Sequence, residues 1–222
     1  MKKSMINKFF SLCLCGWFSL NISGCFTTAT NIETTSELEQ VGNDSSVVFG
    51  QIEWLESGKE KKIGTGFLTM SLAPHLIKLE DKSRIIGEVN EGGRFVWSLQ
   101  PGTYLIHKIA YRDIWSGNYF FIPKVAFSVP DKGKVFYIGT LRGEFEPERD
   151  FIGGLSGKAK FSIQDEDRED FPDFQYKFKI VSNEIEKSLM IYDSELPESI
   201  ETTAEFNLAL GIVNAILYGI SQ

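Results

Sequence analysis

The stretch Phe95-Val96-Trp97-Ser98-Leu99, followed by Gln100-Pro101-Gly102-Thr103 and Tyr104-Leu105-Ile106-His107-Lys108-Ile109, decides the fold. In the first run Phe95, Trp97 and Leu99 alternate with Val96 and Ser98, so three large apolar side chains share one strand face. Pro101-Gly102 suits the centre of a type II turn, where proline presets φ and glycine accepts a positive one. Tight hairpins favour primed turns, whose twist matches the strands, whereas a type II turn splays them. The spacing therefore predicts a bend carrying the chain into a second sheet, which makes a sandwich rather than a flat meander.

The neighbouring sequence has the same texture. Val47 to Trp54 reads as a first strand, and Lys59-Glu60-Lys61-Lys62 as a solvated turn. Phe67 to Leu72, Leu76 to Leu79 and Arg84 to Val89 follow as strands, with Ala73-Pro74 and Asp81-Lys82 as breaks and His75 in the first of them. Tyr119 to Ile122, Val125 to Val129, Lys134 to Leu141, Lys158 to Ile163 and Gln175 to Val181 complete the set. The acidic run Asp165 to Asp170 reads as an exposed loop, since it lacks the glycine and terminal glutamate of a calcium-binding EF-hand. Many short strands between turn residues predict a mainly β, antiparallel sandwich of the prealbumin or immunoglobulin type over 47–181.

The last segment, 182–222, is expected to be helical. Asn183 and Glu186 fit a cap for a helix from Glu184 to Tyr192, and Thr202 with Glu205 forms a T-x-x-E capping box opening Thr203 to Leu217. From Phe206 to Ile220 no side chain is charged, and polar residues make one narrow stripe, so this helix is expected to bury most of its circumference.

Two resemblances follow from particular residues. Leu99-Gln100-Pro101-Gly102-Thr103-Tyr104, with Phe127-Ser128-Val129 and Val135 to Leu141, resembles bacterial lipoproteins carrying a prealbumin-like or carboxypeptidase-regulatory-like sandwich. That likeness implies a sandwich displayed on the cell envelope and carries over no catalytic residue. At the other end, Lys2, Lys3 and Lys8 precede an apolar run from Phe9 to Leu20, and Ile22-Ser23-Gly24-Cys25 follows. This layout resembles a bacterial lipoprotein signal over 1–24, which implies lipidation at Cys25. Phe26, where aspartate is absent, implies the outer membrane by the same likeness. The run is shorter than the roughly 20 residues of a membrane-spanning helix.

Residues 25–46, rich in Thr, Ser, Asn and Glu, are expected to form a flexible tether. Cys13 and Cys15 belong to the leader, so Cys25 is the one cysteine of the mature chain and has no disulfide partner within it. Without the three leader lysines, 20 basic residues face 30 acidic ones, a balance unsuited to nucleic acid.

No catalytic spacing is present, and the two histidines, His75 and His107, do not make a metal motif in sequence. The expectation is a non-enzymatic binding, scaffolding or assembly module without cofactor or metal. Its expected partners are the membrane, an envelope protein or glycan, and a second copy met through the C-terminal helix. Tyr111, Trp115 and Tyr119 flank a loop at Ser116-Gly117-Asn118 and form the expected contact surface. The alternatives are an exported hydrolase with a carboxylate-built site, or a module that acts through the terminal helix.

Overall fold

The structure is a computed structural model that describes residues 26–64, 69–113, 117–149, 155–179, 184–217 and 219. Cys25 and the leader, Trp115 and the expected cap at Asn183 lie outside these residues.

The Pro101-Gly102 bend joins two sheets, as its spacing predicts. Before it, β6 (Arg94–Leu99) pairs with β2 (Ser46–Glu56); after it, β7 (Gly102–Asp113) pairs with β4 (Ser71–Lys78) and β9 (Val125–Val129) in the other sheet. Gly102 has a φ of 152°, not the ~80° of a type II turn. Its smallness matters for space: a Cβ there would stand 2.6 Å from Lys78 Cε. The Tyr104 hydroxyl donates to the Gln100 carbonyl at 2.6 Å, tying the far side of the bend to the near side.

The first sheet runs β1 (Phe26–Ala29), β5 (Arg84–Gly87), β4, β7, β9 and β13 (Ile191–Tyr192), with β8 (Gly117–Phe121) on the end of β7. The second runs β11 (Leu155–Gln164), β10 (Val135–Arg149), β2 and β3 (Lys59–Glu60), with β6 on β2 and β12 (Ile185–Lys187) on β10. Both sheets are mixed, because β1 lies parallel to β5 and β10 parallel to both β2 and β12. Purely antiparallel pairing is thus corrected, while the mainly β sandwich stands. Between the sheets lie Trp54, Phe95, Trp97, Tyr104, Phe127, Phe136 and Phe145, each at most 2 % exposed. Phe95 and Trp97 stack at 3.9 Å.

Several expectations are overturned by tertiary contacts. Residues 26–41 are not a free tether: β1 extends the first sheet, and Ile32 donates its N–H to Val96 O at 2.8 Å in the second. This segment closes one edge of the sandwich and buries Ala29 and Ile32. A short helix, α1 (Thr35–Glu39), follows with a full capping box between Thr34 and Glu37. Pro74 does not break its strand, since it stands one residue outside the β5 ladder and its missing N–H forfeits no bond there. His75 is therefore a strand residue. Lys61 is not part of a solvated turn: it bridges Glu56 at 2.8 Å and the buried Asp113 at 3.3 Å, linking the two sheets.

The acidic loop and the strand expected after it are one helix, α2 (Asp167–Phe178), which lays Phe171, Phe174 and Phe178 against the second sheet. The helix expected over 184–192 is instead β12 and β13. Its backbone follows β10, with Ser188 N–H on Tyr137 O and Met190 N–H on Ile138 O, both at 2.9 Å. The last helix, α3 (Thr203–Leu217), has the predicted bounds and capping box: Glu205 N–H reaches Thr202 Oγ1 at 3.2 Å, and Thr202 N–H reaches Glu205 Oε2 at 2.9 Å. Its burial is narrower than expected. Phe206, Ala209 and Val213 are buried on the first sheet, while Leu208 and Ile216 stay 54 % and 41 % exposed.

Candidate functional site

The outer face of the first sheet is covered over only part of its area. Alternation along β4 and β7 puts Leu72, Leu76, Ile106 and Ile109 in the inter-sheet core, and Ile77 and Leu105 outward under α3. His75 and His107, each two residues from those outward positions, share the outer face beyond the helix. His75 pairs with Lys108 and Leu76 with Ile106, so His107 is the extra residue of a β-bulge.

Both histidines are half-buried. Burial holds the His75 imidazole below its ordinary range, with Lys108 and His107 adding repulsion. Burial does the same to His107, helped by Lys108 and Arg84 and opposed by Glu201. His107 Nδ1 is enclosed without a hydrogen-bond partner among the described residues. Beside the pair, Lys108 Nζ sits 4.7 Å over the ring of Phe120, which is 66 % exposed. The patch thus offers neutral imidazoles, one cation and one exposed ring. That mixture suits contact with a polar or aromatic partner surface. Among the described residues no three His, Cys, Asp or Glu side chains converge as a metal site.

At the free side of β4 an open cleft of about 940 Å³ lies between β1, β5 and the segment after it. Its carboxylates are Glu33, Glu88 and Glu91. Glu33 takes hydrogen bonds from Asn31 Nδ2 and Lys177 Nζ, and Glu88 from Asn31 N–H at 3.4 Å. Two of the three carboxylates are therefore already engaged within the chain, and the cleft is open to water.

The expected aromatic contact surface is corrected in part. Tyr111 is 1 % exposed, with its ring 5.4 Å from Trp54 and its hydroxyl 3.5 Å from Glu56 Oε2. Tyr119 is half-buried, 5.6 Å from Phe145. Both belong to the inter-sheet aromatic cluster, because the β7–β8 register puts them opposite each other on the inward face. The exposed ring on this hairpin is Phe120, one residue out of phase. Period-2 alternation from the buried Phe121 was the signal that could have found it. No protein-family model matches the chain, and no curated protein matches its sequence.

Proposed function

We propose that the chain is a lipid-anchored lipoprotein of the bacterial cell envelope, in the outer membrane, whose sandwich is a non-enzymatic binding or assembly module. The observation that carries this is Ile22-Ser23-Gly24-Cys25 behind a basic, apolar leader, with no cysteine after it. The half-open outer face with His75, His107, Lys108 and Phe120 is the surface offered to an envelope protein or glycan. A hydrolase is less well supported, since the cleft carboxylates are exposed or engaged with Asn31 and Lys177. Mass spectrometry of the native protein tests the anchor: diacylglycerol and an acyl chain on an N-terminal Cys25 are expected. An intact leader or a bare thiol would remove the reading.

A second reading has its own observation. Leu208 and Ile216 are exposed on α3, and nothing lies within 4 Å of where a Gly211 side chain would begin. A second copy packing there would make the protein a dimer, and Gly211→Leu would then return it to monomer in analytical ultracentrifugation.

A further inference from the structure

The first described residue is already in a ladder: Phe26 pairs with Arg84 where β1 begins. Cys25 is one peptide bond away, so its Cα lies about 3.8 Å from that of Phe26. On the lipoprotein reading, on which this inference rests, no slack chain separates the acyl groups from the first sheet. The end of the sheet that carries Phe26 is then the end at the bilayer.

Register identifies that end. Arg84 is opposite Ile77, and Ile77 opposite Leu105, so the β4–β5 turn and the start of β7 belong to it. The first turn of α3 is there as well, with Lys82 Nζ 4.6 Å over the Phe206 ring. Glu80 accepts from Thr103 N–H at 2.7 Å, and Asp81 accepts from Ser83 N–H at 2.8 Å with Lys78 at 3.7 Å. Lys82 and Arg84 are exposed, and neither forms an ion pair among the described residues. Glu80 and Asp81 are exposed beside them, so this end presents both signs of charge, with Lys82 and Arg84 the groups able to meet a lipid phosphate.

We infer that this end of the first sheet, the β4–β5 turn with Lys82 and Arg84 beside β1, is held against a phospholipid surface. The sheet then stands upright and its opposite end, at Arg112 and Asn118, points away. Arg112 is seven residues beyond Leu105 on β7, about 23 Å further from the headgroups. The half-open outer face is thereby presented sideways rather than pressed to the bilayer.

The test uses the full chain with its native N-terminus, in vesicles of phosphatidylethanolamine and phosphatidylglycerol. Ser83→Cys and Asn118→Cys variants are labelled with a fluorophore, and a headgroup-spin-labelled lipid serves as quencher. The ~23 Å difference should give at least about threefold stronger quenching at 83 than at 118. Six Gly and Ser residues inserted between Cys25 and Phe26 should abolish that contrast. Equal quenching in protein that floats with the vesicles, or a contrast indifferent to the insertion, overturns the orientation and leaves the anchor standing. Protein that does not float, or that takes up label at Cys25, overturns the anchor and the orientation together.

Discussion

The two outer faces of the sandwich are closed in different ways. On the second sheet α2 brings aromatic rings: Phe174 stacks on Phe49 at 3.9 Å, and Phe171 meets Tyr137 edge-on at 5.1 Å. Glu166 N–H donates to the Tyr137 hydroxyl at 3.0 Å, and Arg94 holds Asp173 at 2.6 Å. Tyr137 is fully buried there. On the first sheet α3 brings Ala209, Val213 and one ring, Phe206, and stops short of the histidines. Flat rings cover area and lock orientation, whereas small aliphatic side chains seat a helix closely over a narrow strip. The face of the second sheet is structural cover; that of the first sheet leaves surface over for contact.

That contrast is broken most directly at Phe174. Phe174→Ala removes a buried stacked ring and is expected to cost about 3–4 kcal/mol, read as a denaturant midpoint shift at constant slope. A loss below about 1 kcal/mol would mean α2 is an ornament on the sheet rather than its cover. Val213→Ala on the other face deletes two methyl groups from a fully buried site and should cost about 2 kcal/mol. If Val213 proved the more costly of the two, the ranking of the faces would be reversed.

Legibility in the sequence followed how local each signal was. The Phe95–Leu99 alternation, the passage into a second sheet at Pro101-Gly102 and the Thr202–Glu205 box depend on neighbours a few residues away, and each is found, though the bend is not a type II turn. The tether failed because Ala29 and Ile32 are isolated apolar residues whose burial depends on strands 50 or more residues distant. Helix α2 was hidden by Pro172, which forfeits one backbone bond inside it, and by the charged run Asp165 to Asp170 that leads into its first turn. Phe171, Phe174 and Phe178, at i, i+3 and i+7, were the available counter-signal. Over 184–192 the apparent cap lost to the open edge of β10, where pairing satisfies the backbone instead. The candidate site was the least legible part. Nothing local shows that His75 and His107 meet across a bulge, and Tyr111 faces inward because of register.

A smaller effect separates the ends of α3 from its seat. Thr202→Ala removes the N-cap and should cost about 1 kcal/mol without unfolding the sheets. The cap is pH-dependent through its partner. Backbone N–H groups of Thr202 and Glu201, with the Ser199 hydroxyl, hold the Glu205 carboxyl down to about 2. A depressed carboxylate contributes stability above its unfolded value, which is lost as pH falls from about 4.5 towards 2. Circular dichroism across that window should show a shallower acid slope for Glu205→Gln than for the wild type.

The smallest effect sharpens the comparison at its open side. His75 and His107 are both held below the ordinary imidazole range, so the unfolded chain binds protons first as pH falls through about 6.5. Stability is therefore full above that value and declines below it, levelling once the folded imidazoles also charge. The groups facing the pair are Lys108 from β7, Arg84 from β5 and Glu201 from the segment before α3, and only Glu201 favours the charged form. Because both rings are partly solvated, the loss should be the smallest of these effects. A His75→Gln, His107→Gln double variant should flatten the profile between pH 7.5 and 5.5, about a unit either side of the unperturbed imidazole value. Added salt should remove the share due to Lys108 and Arg84 and leave the share due to burial. A profile unchanged by the double substitution would place the imidazoles in open solvent, and the first sheet would then present a bare face rather than a half-closed one.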